Sequence, residues 1–121
     1  MATQTLKAPS DPGDALALFQ ENARSHPTVV FKKSPICPVS FTAEDHYKAW
    51  IAKRAAEDQV ATSVIDVIAE KPLARGLTAA LDVEHQSPQL LWFEHGELRW
   101  HGSHAAITES QLDQLWNSRE K

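Results

Sequence analysis

A chain of 121 residues, 42% hydrophobic and 23% charged, is sized for one domain with a substantial core, and that composition excludes wholesale disorder. A net charge of −4 without a basic run argues against a nucleic-acid surface, and no apolar stretch approaches the ~20 residues of a membrane helix. One cysteine, and no leader-like pattern at the N-terminus, exclude a secreted disulfide scaffold and point to a soluble protein of a reducing, cytoplasmic compartment.

Residues 1–13, with Pro9, Ser10, Asp11, Pro12 and Gly13, read as a loose tail ending in a turn, which leaves 14–121 as the folded domain. Asp14 can cap a helix in which Ala15, Leu18, Phe19 and Ala23 recur at helical spacing, and Pro27 stops it. Thr28–Lys32 is a β-branched and aromatic run, the expected central strand. Ser34–Pro38 is a loop whose last residue suits the first turn of a helix. That helix is predicted to run to about Glu57, burying Ala43, Tyr47, Trp50, Ile51 and the stem of Arg54.

Ala61–Val67 is a second apolar strand, and a helix opens near Pro72 with Leu73, Leu77, Ala80 and Leu81 one turn apart. Ser87 and Pro88 precede a third strand, Gln89–Phe93; His95-Gly96 is a hairpin signal, and Glu97–His101 returns as a fourth strand. Thr108 and Gln111 form a capping box for a last helix with Leu112, Leu115 and Trp116 on its inner face. The order αβαβαββα predicts an α/β domain. Its first two strands are parallel through a right-handed crossover, its last two form an antiparallel hairpin, and the mixed four-stranded sheet is flanked by helices. A cysteine after the first strand and a proline before the third narrow this to a thioredoxin-like fold.

Cys37 carries the chemistry. At a helix start, unsatisfied backbone N–H groups and the helix dipole favour a negative charge, and thiols so placed are activated as nucleophiles. Lys32 and Lys33 add positive potential if either side chain turns toward the sulfur. Ser40 stands three residues on, where a dithiol oxidoreductase keeps its second cysteine, so this CxxS pattern needs another thiol to finish a reaction. A lone cysteine is more often a small buried hydrophobe. Its place between a first strand and a Pro-started helix favours a reactive thiol.

In this fold a cis-proline before the third strand lies beside the cysteine, and Pro88 takes that position; the bland alternative is a trans proline opening a strand. The turn from Trp100 to Thr108 falls on the same edge. Gly102 and Ser103 leave room for a ligand, and the helix start that follows offers donors to an anion. His101 and His104 bring metal to mind, but no further ligand pair accompanies them, and surface histidines in a polar loop are the plainer reading.

Three stretches carry a family resemblance: Phe31–Ser40, Val83–Gln89 and Trp100–Thr108. Together they resemble the monothiol bacilliredoxins, YtxJ-like general stress proteins of the thioredoxin-like superfamily, in order and over roughly residues 15 to 116. Ile36 departs from the family's usual threonine, and Gln86 stands where an acid is common. The resemblance implies a stress-response enzyme that removes bacillithiol, or another low-molecular-weight thiol, from S-thiolated protein substrates. Cys37 would be the nucleophile, Pro88 the cis-proline and Ser87 its backbone partner, with Ser34, Pro35, Ile36 and Pro38 completing the substrate-binding loop. Bacillithiol joins cysteine and glucosamine to malate, so its tail is dianionic. Gly102, Ser103 and His104 are the expected receptor for that tail. The small thiol then acts as a co-substrate with no tightly bound cofactor, and a reductase is a further expected partner. Two rival readings are an iron–sulfur carrier like the CxxS monothiol glutaredoxins and a redox-inert interaction domain.

Overall fold

The computed structural model describes the backbone of residues 4–55 and 60–118, and the side chains of residues 5–53 and 60–118. A two-residue strand, β1 (Gln4–Thr5), precedes α1 (Pro12–Asn22), β2 (Thr28–Lys33), α2 (Pro38–Ala55), β3 (Ala61–Asp66), α3 (Lys71–Ala80), β4 (Gln89–Glu94), β5 (Glu97–Ser103), a 3-10 helix (His104–Ala106) and α4 (Glu109–Asn117). The expected end of α2 near Glu57 and the stem of Arg54 lie outside the described residues.

The sheet runs in the order β1-β3-β2-β4-β5. β2 and β3 are parallel, while β2 with β4 and β4 with β5 are antiparallel. These are the four expected strands in the expected senses. The fifth lies within the segment read as a tail, where Gln4 and Thr5 pair in parallel with Ala61 and Thr62. Two residues are too few to show a strand period, so this bridge left no mark in the sequence pattern.

The start of α1 also corrects the sequence reading. Asp11, rather than Asp14, is the cap: its Oδ2 accepts from the Asp14 N–H at 2.9 Å. Pro12 decides the register, because a residue lacking an N–H belongs in the first turn, where that donor has no helical partner. At the hairpin both His95 and Gly96 have positive φ, 55° and 79°, as a two-residue turn between twisted strands requires.

Helices cover both faces, so β2 and β4 read as continuous apolar runs whose successive side chains enter different cores. Val30, Leu91 and Phe93 pack with Phe19, Leu73 and Leu77 on the face of α1 and α3. Val29, Phe31, Leu90 and Trp92 pack with Tyr47, Trp50, Leu112 and Trp116 on the face of α2 and α4. Trp50 is the hub of the second core, its ring centroid 5.3 Å from that of Trp92 and 5.9 Å from that of Trp116. Its indole N–H donates to Asp113 Oδ1 at 3.0 Å, tying α2 to α4. Among the described residues no helix is long and apolar enough to cross a membrane.

Trp50→Ala empties a fully buried site and removes that donor, and is expected to cost about 3–5 kcal/mol. A urea unfolding midpoint within error of wild type would contradict the hub role.

Candidate active site

The strand register gathers the site. Lys32 on β2 is opposite Gln89, the first residue of β4, and Gln89 is opposite Ser103, the last residue of β5. One row across the sheet therefore lies one residue from the end of β2, begins β4 and ends β5. The loop bearing Cys37, the segment 84–88 and the corner 102–108 all meet this edge.

Cys37 is partly exposed and immediately precedes Pro38, the first residue of α2. Its carbonyl accepts from the Ser40 N–H at 3.0 Å, closing the first turn. No acidic side chain stands in that turn to compete with a thiolate for the helix start. Ser40 is fully buried, and its Oγ accepts from the Ser34 N–H at 2.9 Å. The residue in the second-thiol position is thus a structural strut across the loop. Ser34 is buried by that bond, whereas Pro35, Ile36 and Pro38 are exposed. Ile36 (78% exposed), Val39 (45%) and Phe41 (51%) form an apolar surface around the thiol. Val39 and Phe41 escaped the sequence reading because helical periodicity marks inward faces, and these two point outward.

The two lysines are occupied elsewhere. Lys33 Nζ lies 3.7 Å from Glu44 Oε2 on α2. Lys32 is fully buried, and its Nζ lies 2.8 Å from Gln89 Oε1 and 2.7 Å from His85 Nδ1. An ammonium has donors only, so in that form Lys32 donates to both. Burial first, and then the charge of Arg75, lower the Lys32 pKa from 10.5 to about 7. Burial also holds His85 below its ordinary value, helped by Lys32 and Arg75, which keeps the imidazole neutral and able to accept. The strand alternation was the available signal: Lys32 sits two residues beyond buried Val30 and shares its face.

The Ser87–Pro88 peptide bond is cis. Pro88 is buried, and its carbonyl accepts from the His104 N–H at 3.2 Å, joining this segment to the corner. Ser87 Oγ is buried and has no hydrogen-bond partner among the described residues. Gln89 anchors the rest of the segment: its Oε1 accepts from the Gln86 N–H at 3.3 Å, and its Nε2 donates to the Glu84 carbonyl at 3.0 Å.

The corner departs from the sequence reading in two respects. The space above Gly102 is taken by the Trp100 ring, with which a Cβ at residue 102 would collide. The glycine accommodates its strand neighbour rather than leaving an opening for a ligand. Four of the corner's backbone donors are also engaged. His104 N–H bonds Pro88, Ile107 N–H bonds the His104 carbonyl, Glu109 N–H reaches His46 Nδ1 at 3.4 Å, and Gln111 N–H bonds Thr108 Oγ1 at 3.1 Å. The last of these is the predicted Thr108 cap. Ser103 is half-buried, and His104 is exposed with a left-handed backbone, φ 53°. A recess of about 310 Å³ opens between α2 and the corner, with Val39, Thr42 and His46 on one wall and His104, Ala105 and Thr108 on the other.

A mixed sheet that brings a lone helix-start thiol, a cis-proline and the final strand's corner to one edge defines a monothiol protein of the thioredoxin fold. The model of the monothiol bacilliredoxin BrxC family matches residues 11–112, and the chain belongs to that family. A solved structure described as having a thioredoxin fold is 28% identical, at a TM-score of 0.73, over 93% of this chain and 92% of its own. Thioredoxin O2 from Arabidopsis thaliana in its oxidized state is 17% identical over 99% of this chain and 96% of its own, with a TM-score of 0.69. Desulfothioredoxin from Desulfovibrio vulgaris Hildenborough in its reduced form is 22% identical over 98% of this chain and 100% of its own, with a TM-score of 0.64. The last two share the fold. Family and fold are those of thiol oxidoreductases.

The depressed Lys32 value has a thermodynamic consequence. Between about 7 and 10.5 the unfolded chain holds a proton that the folded chain lacks. The Lys32 contribution to stability therefore rises with pH across that window and is flat outside it. Lys32→Met is expected to remove this rise, so that the variant gains on wild type as pH falls toward 7. Denaturation midpoints measured across the window check this, and equal slopes for the two proteins would contradict it.

Proposed function

We propose that the protein strips a low-molecular-weight thiol, bacillithiol or one of similar chemistry, from protein mixed disulfides. The observation that carries the reading is the pairing of Cys37, the chain's sole thiol, at the start of α2 with Ser40, buried and bonded where a second thiol would stand. Such a site can begin an exchange but cannot complete it alone.

Cys37 thiolate attacks the sulfur of the small thiol in the mixed disulfide. The new bond joins Cys37 to that sulfur, the old disulfide breaks, and its electron pair leaves on the substrate protein's sulfur, which takes a proton from solvent. A second molecule of the small thiol, as thiolate, then attacks the disulfide at Cys37. That step forms the new S–S bond from the incoming thiolate's electron pair, returns the Cys37 thiolate with the pair of the broken bond, and releases a symmetrical small disulfide. A partner reductase would recycle that disulfide.

Ile36, Val39 and Phe41 support docking of a protein substrate, because an apolar rim around a reactive thiol gains affinity by shedding water. The recess beside Val39 has room for the sugar and malate parts of the thiol. With the N–H groups of His104, Ile107, Glu109 and Gln111 engaged, the Ser103 hydroxyl and the His104 imidazole are side-chain donors offered to its carboxylates.

Turnover of a fluorescent S-bacillithiolated protein tests the reading. Wild type is expected to release the reduced protein, and Cys37→Ser to release none while staying folded. Val39→Ser with Phe41→Ser is expected to raise KM for the protein substrate several-fold, roughly 1 kcal/mol of lost apolar burial, without slowing a small neutral disulfide. Release by Cys37→Ser at the wild-type rate would overturn the assignment.

A further inference from the structure

A lysine with no exposed surface in the middle of a sheet is costly, and an apolar residue at position 32 would serve the core without that cost. The bonds of Lys32 explain its presence. Its Nζ reaches His85 Nδ1 and Gln89 Oε1, and Gln89 passes the connection to the Gln86 N–H and the Glu84 carbonyl. Each of these partners belongs to the irregular segment between α3 and β4 or to the residue that ends it. The far end of the segment is pinned separately, by the His104 N–H on the Pro88 carbonyl. Residues 84–88 are therefore held from below by the central strand and from the side by the corner.

We propose that Lys32 is a positioning residue, a brace reaching from the sheet interior that fixes residues 84–88 so that Ser87 and Pro88 present their backbone to a protein substrate docked on Cys37. The proposal rests on the thiol-exchange reading above. Lys32 is not offered as a group that touches the reacting sulfurs. It acts on geometry, and a displacement of about 1 Å in a positioning element is enough to cost large factors in rate. Arginine would put a larger planar guanidinium where the compact ammonium sits, and methionine keeps the stem but loses both bonds.

The test compares the full chain with Lys32→Met and with His85→Leu, the milder cut at a partly exposed residue. Alkylation of Cys37 by iodoacetamide needs only the thiol and is expected to be unchanged in both variants. KM for an S-bacillithiolated protein is expected to rise about tenfold in Lys32→Met, the scale of lost buried hydrogen bonds, and by less in His85→Leu, with kcat nearly constant. Amide hydrogen exchange at Gln86 and His104 is expected to quicken in the same order. Equal KM values, or a fall in alkylation that parallels the fall in turnover, would overturn the brace. Should Lys32→Met fail to fold, His85→Leu carries both readouts, and wild-type KM with wild-type exchange in that variant overturns it equally. Should wild type leave the bacillithiol mixed disulfide intact, the exchange reading falls by itself. The brace is then decided by amide exchange, where unchanged protection in both variants overturns it.

Discussion

The arrangement depends on one row of the sheet, in which Lys32, Gln89 and Ser103 lie side by side, next to the last residue of β2, at the start of β4 and at the end of β5. Backbone pairing fixes this row, and Lys32 and Gln89 are also joined side chain to side chain at 2.8 Å. A slip of one residue in β4 would turn every side chain of that strand to the other core, exchanging the environments of Trp92 and Phe93. Two buried cores therefore enforce the register. The register in turn delivers the thiol loop, the cis-proline segment and the corner to one edge.

On that edge the division of labour is clear. Ser34 and Ser40 bond to each other and hold the loop, leaving Cys37 partly exposed among Ile36, Val39 and Phe41. Thiol–disulfide exchange needs little more from a protein than an accessible sulfur, a surface to hold the partner and control over which thiol attacks next. Placing a hydroxyl in a buried bond where a resolving sulfur would stand hands that last step to a second molecule. At the corner, the backbone N–H groups of His104, Ile107, Glu109 and Gln111 are already bonded, so the proposed binding of that molecule there would draw on side chains and the recess.

Much of this was legible in the sequence, and its limits have physical causes. The β2 and β4 strands announce themselves because both of their faces are covered. Cys37-Pro38 and Thr108 with Gln111 are local signals whose partners lie within one turn, and the cis-proline stands where the fold expects it. Asp14 reads as the cap in the sequence where Asp11 is the cap, and the position of Pro12 is the clue that separates them. Lys32 was read as a possible field on the sulfur because its true partners, His85 and Gln89, stand 53 and 57 residues away. Gly102 shows the reverse case. Trp100 is two residues away on the same face of β5, so the alternation of the strand could have revealed the ring that fills the space above it.

The central claim is that Cys37 takes the small thiol and frees the substrate protein. Intact-mass spectrometry of a single-turnover mixture, with the protein in excess over an S-bacillithiolated substrate, reads this directly. The account predicts a Cys37 adduct with the added mass of one bacillithiol, appearing in step with an unmodified, reduced substrate. A Cys37 adduct carrying the substrate protein as the sole product, or a substrate that keeps its bacillithiol while Cys37 stays free, would contradict it.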